Sequence, residues 1–128
     1  MLKIIIPVDP ITKKNHGRIV NKKTSSGKTF PIMLPSEAYT KYEKKCKDFM
    51  PTLNEPINIP INLECHYYMG TKRKCDITNL LQATCDILVK YQVLEDDNYT
   101  IIASVNGTTV SYDKENSRTE IYITKKEQ

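Results

Sequence analysis

Residues 57–69, INIPINLECHYYM, constrain the fold more than any other stretch. Ile57, Ile59, Ile61, Leu63, Cys65, Tyr67 and Met69 fall on one face, and Asn58, Asn62, Glu64, His66 and Tyr68 on the other. A repeat of two is the mark of a half-buried strand. Pro60 places itself at an edge or at the strand's start, because it cannot donate to a ladder. Soon afterwards the period changes. Ile77, Leu80, Leu81, Thr84, Leu88 and Tyr91 recur at helical spacing, with Cys85 and Ile87 near the edges of that face. The opposite side is traced by Thr78, Asn79, Gln82, Asp86 and Val89. The spacing predicts a helix over 77–90 with Asp76 at its N-cap.

The flanking segments complete an α+β architecture. Residues 2–8, 100–105 and 119–124 read as strands, and Asn106-Gly107 as a turn. Ser36, after Pro35, is an N-cap for a helix over 37–49, whose Tyr39, Tyr42, Cys46 and Phe49 form one apolar stripe. The expected fold is a small mixed sheet built from 2–8, 57–69, 100–110 and 118–124, packed against helices 36–49 and 77–90. The 128 residues suit one domain, 1–128, with no internal repeat or clear linker.

Charge is unevenly distributed. Residues 1–50 hold eleven Lys/Arg against four Asp/Glu, whereas residues 76–128 hold five against nine. A polyanion-binding protein with an embedded acidic site has this asymmetry. The basic arm, about residues 10–30, includes TKKNHGRIVNKKTSSGK at 12–28, with six Lys/Arg and no acid. It suits a mobile loop or a ribbon of short strands that tracks phosphates. No apolar run reaches the roughly 18 residues of a membrane span, and no export signal is recognisable, so a cytoplasmic location is expected. Cys46, Cys65, Cys75 and Cys85 form no CxxC pair, and free thiols are expected. Glu43-Lys44-Lys45 matches the tail of a restriction-type nuclease motif, but it lies in the expected helix rather than a strand.

Acids bracket helix 77–90. Asp76 stands at its entrance after Lys72-Arg73-Lys74, and Asp96-Asp97 follow its exit. A 14-residue helix is about 21 Å long. An extended run over 91–97 reaches about 23 Å, enough to return Asp97 to the level of Asp76. Otherwise Asp97 meets a site from another subunit. Like charges gather only around a cation. Mg²⁺ takes oxygen ligands and keeps waters beside one or two carboxylates. The plainer reading makes Asp76 an N-cap and 95–98 a polar turn.

This stretch resembles the RusA family, small homodimeric endonucleases that resolve Holliday junctions in bacteria, prophages and phages. The family pattern has basic residues, Asp-x-Asp-Asn-Leu, a lysine three residues after that Asn, a later Asp, then Asp-Asp before a strand. It is matched by Lys72-Arg73-Lys74, Asp76-Ile77-Thr78-Asn79-Leu80, Gln82, Asp86 and Asp96-Asp97. Tyr112-Asp113-Lys114-Glu115-Asn116 and Arg118-Thr119-Glu120-Ile121 are similar to the end of one branch of the family. The sequence departs from the pattern at Thr78 and Gln82, where the family has Asp and Lys.

The resemblance implies a RusA-like homodimer that makes paired nicks in four-way junction DNA with Mg²⁺, or Mn²⁺ in its place. Asp76 and Asp97 would be the metal ligands, with Asp96 assisting directly or through water. Gln82 and Asp86 would orient water or phosphate, supported by Thr78 and Asn79. Lys72, Arg73, Lys74, Lys13, Lys14, Arg18, Lys22 and Lys23 would bind DNA. Asp86, Glu64 or His66, and Glu115 or Glu120 are candidates to compensate for the acid replaced by Thr78. The alternatives are a junction-binding relative that no longer cuts, and an interaction protein whose charges are solvated faces.

Overall fold

The computed structural model describes residues 1–13, 18–34 and 36–126, without the side chains of 18–20 and 32–34. Lys14, His16 and the side chain of Arg18 therefore lie outside the described residues.

The main sheet is mixed. β1 (Leu2–Ile6) pairs antiparallel with β7 (Arg118–Lys125), and β7 pairs antiparallel with β4 (Ile61–Met69). On its other side β4 runs parallel to two short strands, β5 (Ile102–Ser104) and β6 (Thr109–Tyr112). β4 is thus internal, and Pro60 sits just before its start, where the missing N–H removes no ladder bond. Its alternation is as expected: Ile61, Leu63, Cys65 and Tyr67 are buried, and the residues between them are half-buried.

Asn106-Gly107 is a turn, as expected. β5 and β6 both run parallel to β4, so the turn does not reverse the chain. It is an outward detour in one interrupted edge strand, closed by Thr108 N–H to the Val105 carbonyl at 3.3 Å. Gly107 has φ +89°, a conformation that disfavours a Cβ. The basic arm forms a ribbon, β2 (Arg18–Lys23) with β3 (Thr29–Leu34), antiparallel and separate from the main sheet.

Both helices cover one face of the sheet. α1 (Glu37–Cys46) starts at Ser36, whose hydroxyl accepts the Tyr39 N–H at 3.1 Å, and a 3-10 turn (Lys47–Phe49) extends it. Tyr39, Tyr42 and Cys46 are buried, but Phe49 is largely exposed because the chain tightens out of the α-helical period there. α2 spans Ile77–Lys90 as expected, but its buried stripe is Leu80, Ala83, Thr84, Ile87 and Leu88. The contact face is rotated towards Ala83 and Ile87, leaving Ile77 exposed and Leu81 and Cys85 half-buried. Tyr67 of β4 bonds Thr84 of α2 at 2.6 Å.

The core between the layers joins Ile4, Ile6, Ile121 and Ile123 to the inward residues of β4 and both helices. Each such side chain contributes about 1.5–3 kcal/mol by leaving water. No described helix is long and apolar enough to cross a membrane.

Candidate metal centre and nucleic-acid interface

Asp76 occupies the N-cap of α2 in extended conformation, yet its side chain makes no capping bond. The Asn79 and Leu80 N–H groups go to its backbone carbonyl instead, at 3.1 and 3.2 Å. Its exposed carboxylate is therefore not committed to the helix, contrary to the plain cap reading.

The segment after α2 does not run extended back to Asp76. Gln92 takes φ 60° and reverses the chain. Val93 and Leu94 N–H both bond to the Leu88 carbonyl, at 2.9 and 3.2 Å, and both side chains are buried. Leu94 then bridges Ile57. Burial of these two apolar residues consumes the reach of the segment. Asp97 comes to rest beside the second half of α2, lining an open hollow of about 370 Å³ with Lys13, Glu43, Asp86, Val89 and Lys90. Asp86 lies ten residues after Asp76, about 15 Å along the helix axis.

Asp96 and Asp97 have different surroundings. Asp96 accepts the Asp97 N–H at 2.7 Å and the Asn98 amide at 3.1 Å, which hold its carboxyl below the usual range. Both of its oxygens are thus used in shaping the loop. Asp97 is presented to the hollow. Burial first, then the charges of Asp97 and Asp86, push the Cys85 thiol up to about 12.

Asp86 is held by two groups. Lys13 Nζ lies 3.0 Å from Oδ2, and the Gln82 amide donates to Oδ1 at 3.1 Å. Lys13, Asn79, Gln82 and Ala83 border a smaller adjoining hollow. Lys90 pairs with Glu43, and Tyr91 Oη donates to the Glu43 carbonyl at 3.0 Å. Tyr39 buries its hydroxyl beside Glu43, and burial first, then the Glu43 and Asp86 carboxylates, raise its pKa. Thr78 is exposed on the first turn of α2.

The other candidate compensating acids lie elsewhere. Glu64 and His66 bond each other at 2.6 Å on the outward positions of β4, the face opposite the helices. Glu120 is on the same outward face, engaged by Arg118 at 2.7 Å and by Tyr122 at 2.7 Å. Strand alternation separates them from α2, so of that group only Asp86 joins the hollow. Glu115 is exposed in the 3-10 turn before β7.

The basic residues divide in two. Lys72, Arg73 and Lys74 are exposed between β4 and α2, with Lys72 Nζ 5.2 Å from the centroid of Tyr112. Arg73 and Lys74 border a second cavity with Asp9 and Thr12, so the triplet adjoins the segment leading to Lys13. Lys22 and Lys23 are exposed on β2. Sequence reasoning missed Glu43 and Lys90, which are 47 positions apart and meet only because α1 and α2 pack side by side. The Glu-x-Lys pattern at 43–45 does lie in a helix, as expected.

Among the described residues, no three His, Cys, Asp or Glu side chains are gathered as a metal cage. Mg²⁺ needs no such cage, since it keeps most of its waters and takes one or two carboxylates. Carboxylate oxygens, which Glu43, Asp86 and Asp97 supply around the hollow, suit a hard cation.

No curated protein matches the chain in a search for relatives. The family model described as endodeoxyribonuclease RusA matches residues 7–124, from just after β1 into β7. With that match spanning both helices, the basic triplet and all the acids around α2, the chain belongs to the RusA endodeoxyribonuclease family.

Proposed function

We propose that the protein is a Mg²⁺-dependent endonuclease that resolves four-way DNA junctions by paired nicks, in recombination and repair. The observation that carries this is the pair of uncommitted acids, Asp76 at the mouth of α2 and Asp97 over the hollow, within a chain of the RusA family. Asp97 would hold the cation together with Asp76 of a second copy of the chain, because about 15 Å of helix lies between the two acids within one copy, and Asp96 would shape the loop that presents Asp97 or reach the ion through water. A divalent ion there supplies a more acidic water and charge stabilisation for the cleaved phosphodiester. Asp86 and Gln82, already bonded to each other, would orient water or phosphate, with Thr78 and Asn79 beside them.

Lys72, Arg73 and Lys74, together with Lys14, Arg18, Lys22 and Lys23, would grip phosphates and so favour junction shape over sequence, with Lys13 placed among the acids of the site. Two copies related by a twofold axis would carry two equivalent sites, matching the symmetry of a four-way junction. The exposed Ile77 and half-buried Leu81 and Cys85 leave α2 with apolar surface that a second copy would cover. The expected setting is bacterial cytoplasm, as a host or phage protein.

The test is cleavage of an end-labelled synthetic four-way junction in Mg²⁺ and in Mn²⁺, with EDTA and Asp97→Asn as controls. Symmetric nicks that vanish in both controls are expected. Tight junction binding without nicks in either metal would mean a binding protein that no longer cuts. Nicks that persist in Asp97→Asn would remove Asp97 from the metal centre.

A further inference from the structure

We propose that Lys13 is a catalytic residue: its ammonium, held by Asp86 in the free protein, contacts the phosphate being cut. This inference rests on the nuclease reading above and assigns the cation at that site. Lys13 precedes the ribbon, yet it does not project away with the arm. Its Nζ lies 3.0 Å from Asp86 and 5.5 Å from the centroid of Tyr39, where α1 and α2 meet. It borders both the hollow shared with Asp97 and the adjoining one lined by Asn79 and Gln82. No other described residue borders both.

The other ammonium in the larger hollow, Lys90, is paired with Glu43 and lies 5.8 Å from the centroid of Tyr91. The hollow therefore sets three carboxylates, Glu43, Asp86 and Asp97, against two lysines. Among the described residues, Asp97 is the acid of the three with no lysine paired to it.

A pair as open as Lys13–Asp86, with side chains 42% and 28% exposed, adds little to stability. Its value lies in position. Lysine is a point charge on a flexible stem, so Lys13 can leave Asp86 for a phosphate a few ångströms away. Asp86 keeps the Gln82 amide when it does. In hydrolysis a water oxygen bonds to phosphorus while the bond to the leaving oxygen breaks with its electron pair, the proton lost by the water reaches that oxygen through solvent, and charge builds on the non-bridging oxygens in between. Lys13 stabilises that charge and transfers no proton.

The experiment compares wild type with Lys13→Ala, Lys13→Met, Lys13→Arg and the double variant Lys22→Ala/Lys23→Ala on a labelled four-way junction. Single-turnover cleavage is measured in Mg²⁺ at saturating protein, and Kd in EDTA over a salt series. Lys13→Ala should cleave about 100-fold to 1,000-fold more slowly at saturation, the usual cost of one lost transition-state contact. Its Kd should change less than about threefold, and Lys13→Met, which retains the stem over Tyr39, should be equally slow. Lys13→Arg should recover at least a tenth of the rate. A lysine that merely anchors the arm would not produce this split between rate and affinity.

Lys22→Ala/Lys23→Ala should instead raise Kd and lower the salt slope by about 2, one unit for each phosphate contact. Saturated cleavage by Lys13→Ala or Lys13→Met at the wild-type rate would overturn the proposal while leaving the nuclease reading intact. A wild type that binds junctions and never cuts would overturn both, and is recognised from the wild type alone.

Discussion

Replacing Tyr67 with Phe deletes one hydroxyl from the contact that fastens α2, the helix bearing Asp76 and Asp86, to the central strand β4. The direction of that bond follows from its neighbours. Thr84 Oγ1 donates its only proton to the Leu80 carbonyl at 3.0 Å, and a carbonyl can only accept. Tyr67 must therefore donate to Thr84 across 2.6 Å. Burial raises the Tyr67 pKa well above the ordinary tyrosine value, so this proton stays in place at any working pH.

Tyr67→Phe removes the donor and leaves only a spare lone pair on Thr84, a loss of about 1 kcal/mol. Thr84→Val strands the Tyr67 O–H in the core without that acceptor, a loss of about 2 kcal/mol. The double variant removes both groups and should again lose only about 1 kcal/mol. The cycle thus predicts about 2 kcal/mol of non-additivity. It would be measured by urea unfolding followed by circular dichroism at matched protein concentration. In thermal melts each kcal/mol corresponds to about 3–5 °C for a chain of this size. Single losses that add to within about 0.5 kcal/mol in the double variant would refute the donor assignment and the coupling of α2 to β4 through this pair.

Two further predictions concern acids. Asp76→Asn should abolish junction nicking yet shift stability by less than about 0.5 kcal/mol, because its carboxylate makes no capping bond. A stability loss of about 1 kcal/mol, typical of a lost N-cap, would return Asp76 to a structural role. Glu120 is held below the ordinary glutamate range by the Tyr122 hydroxyl first and by Arg118 second. Its contribution is therefore complete above the unfolded glutamate pKa and fades as pH falls through the lower folded value. The stability gap between wild type and Glu120→Gln should narrow as pH falls below the unfolded glutamate value of about 4.3, as read from unfolding curves taken through that range.

Local chemistry determined much of the architecture and can be read from single segments. The alternation from Ile61 to Tyr67 needs only the pleat of a strand, and the bounds of α2 need only a helical period between Asp76 and Tyr91. Ser36 caps α1 through a bond made within three residues. The basic triplet, the acids and the membership in the RusA family are likewise properties of residue order. Expectations fared worse wherever long-range packing decided the outcome. Ile77 suits an apolar helical face, yet it is exposed, because α2 rolled to bring Ala83 and Ile87 against the sheet. Asn106-Gly107 forms its turn, but that the turn interrupts an edge strand was decided by β5 and β6 both finding β4 as a parallel partner.

The candidate centre divides in the same way. Sequence order by itself determined which acids and lysines are available, since carboxylates around a helix and a basic arm are a matter of composition and spacing. Tertiary structure alone decided which of them meet. Burial of Val93 and Leu94 turned the chain early and set Asp97 beside Asp86, well along α2 from Asp76. Packing of α1 against α2 brought Glu43 to Lys90, and the path of the segment after β1 carried Lys13 to Asp86. Those pairs are separated by 47 and 73 positions, so no local period encodes them. They exist because the apolar faces of both helices and the sheet have a common core to share, and the polar side chains at its rim are held where that core leaves them.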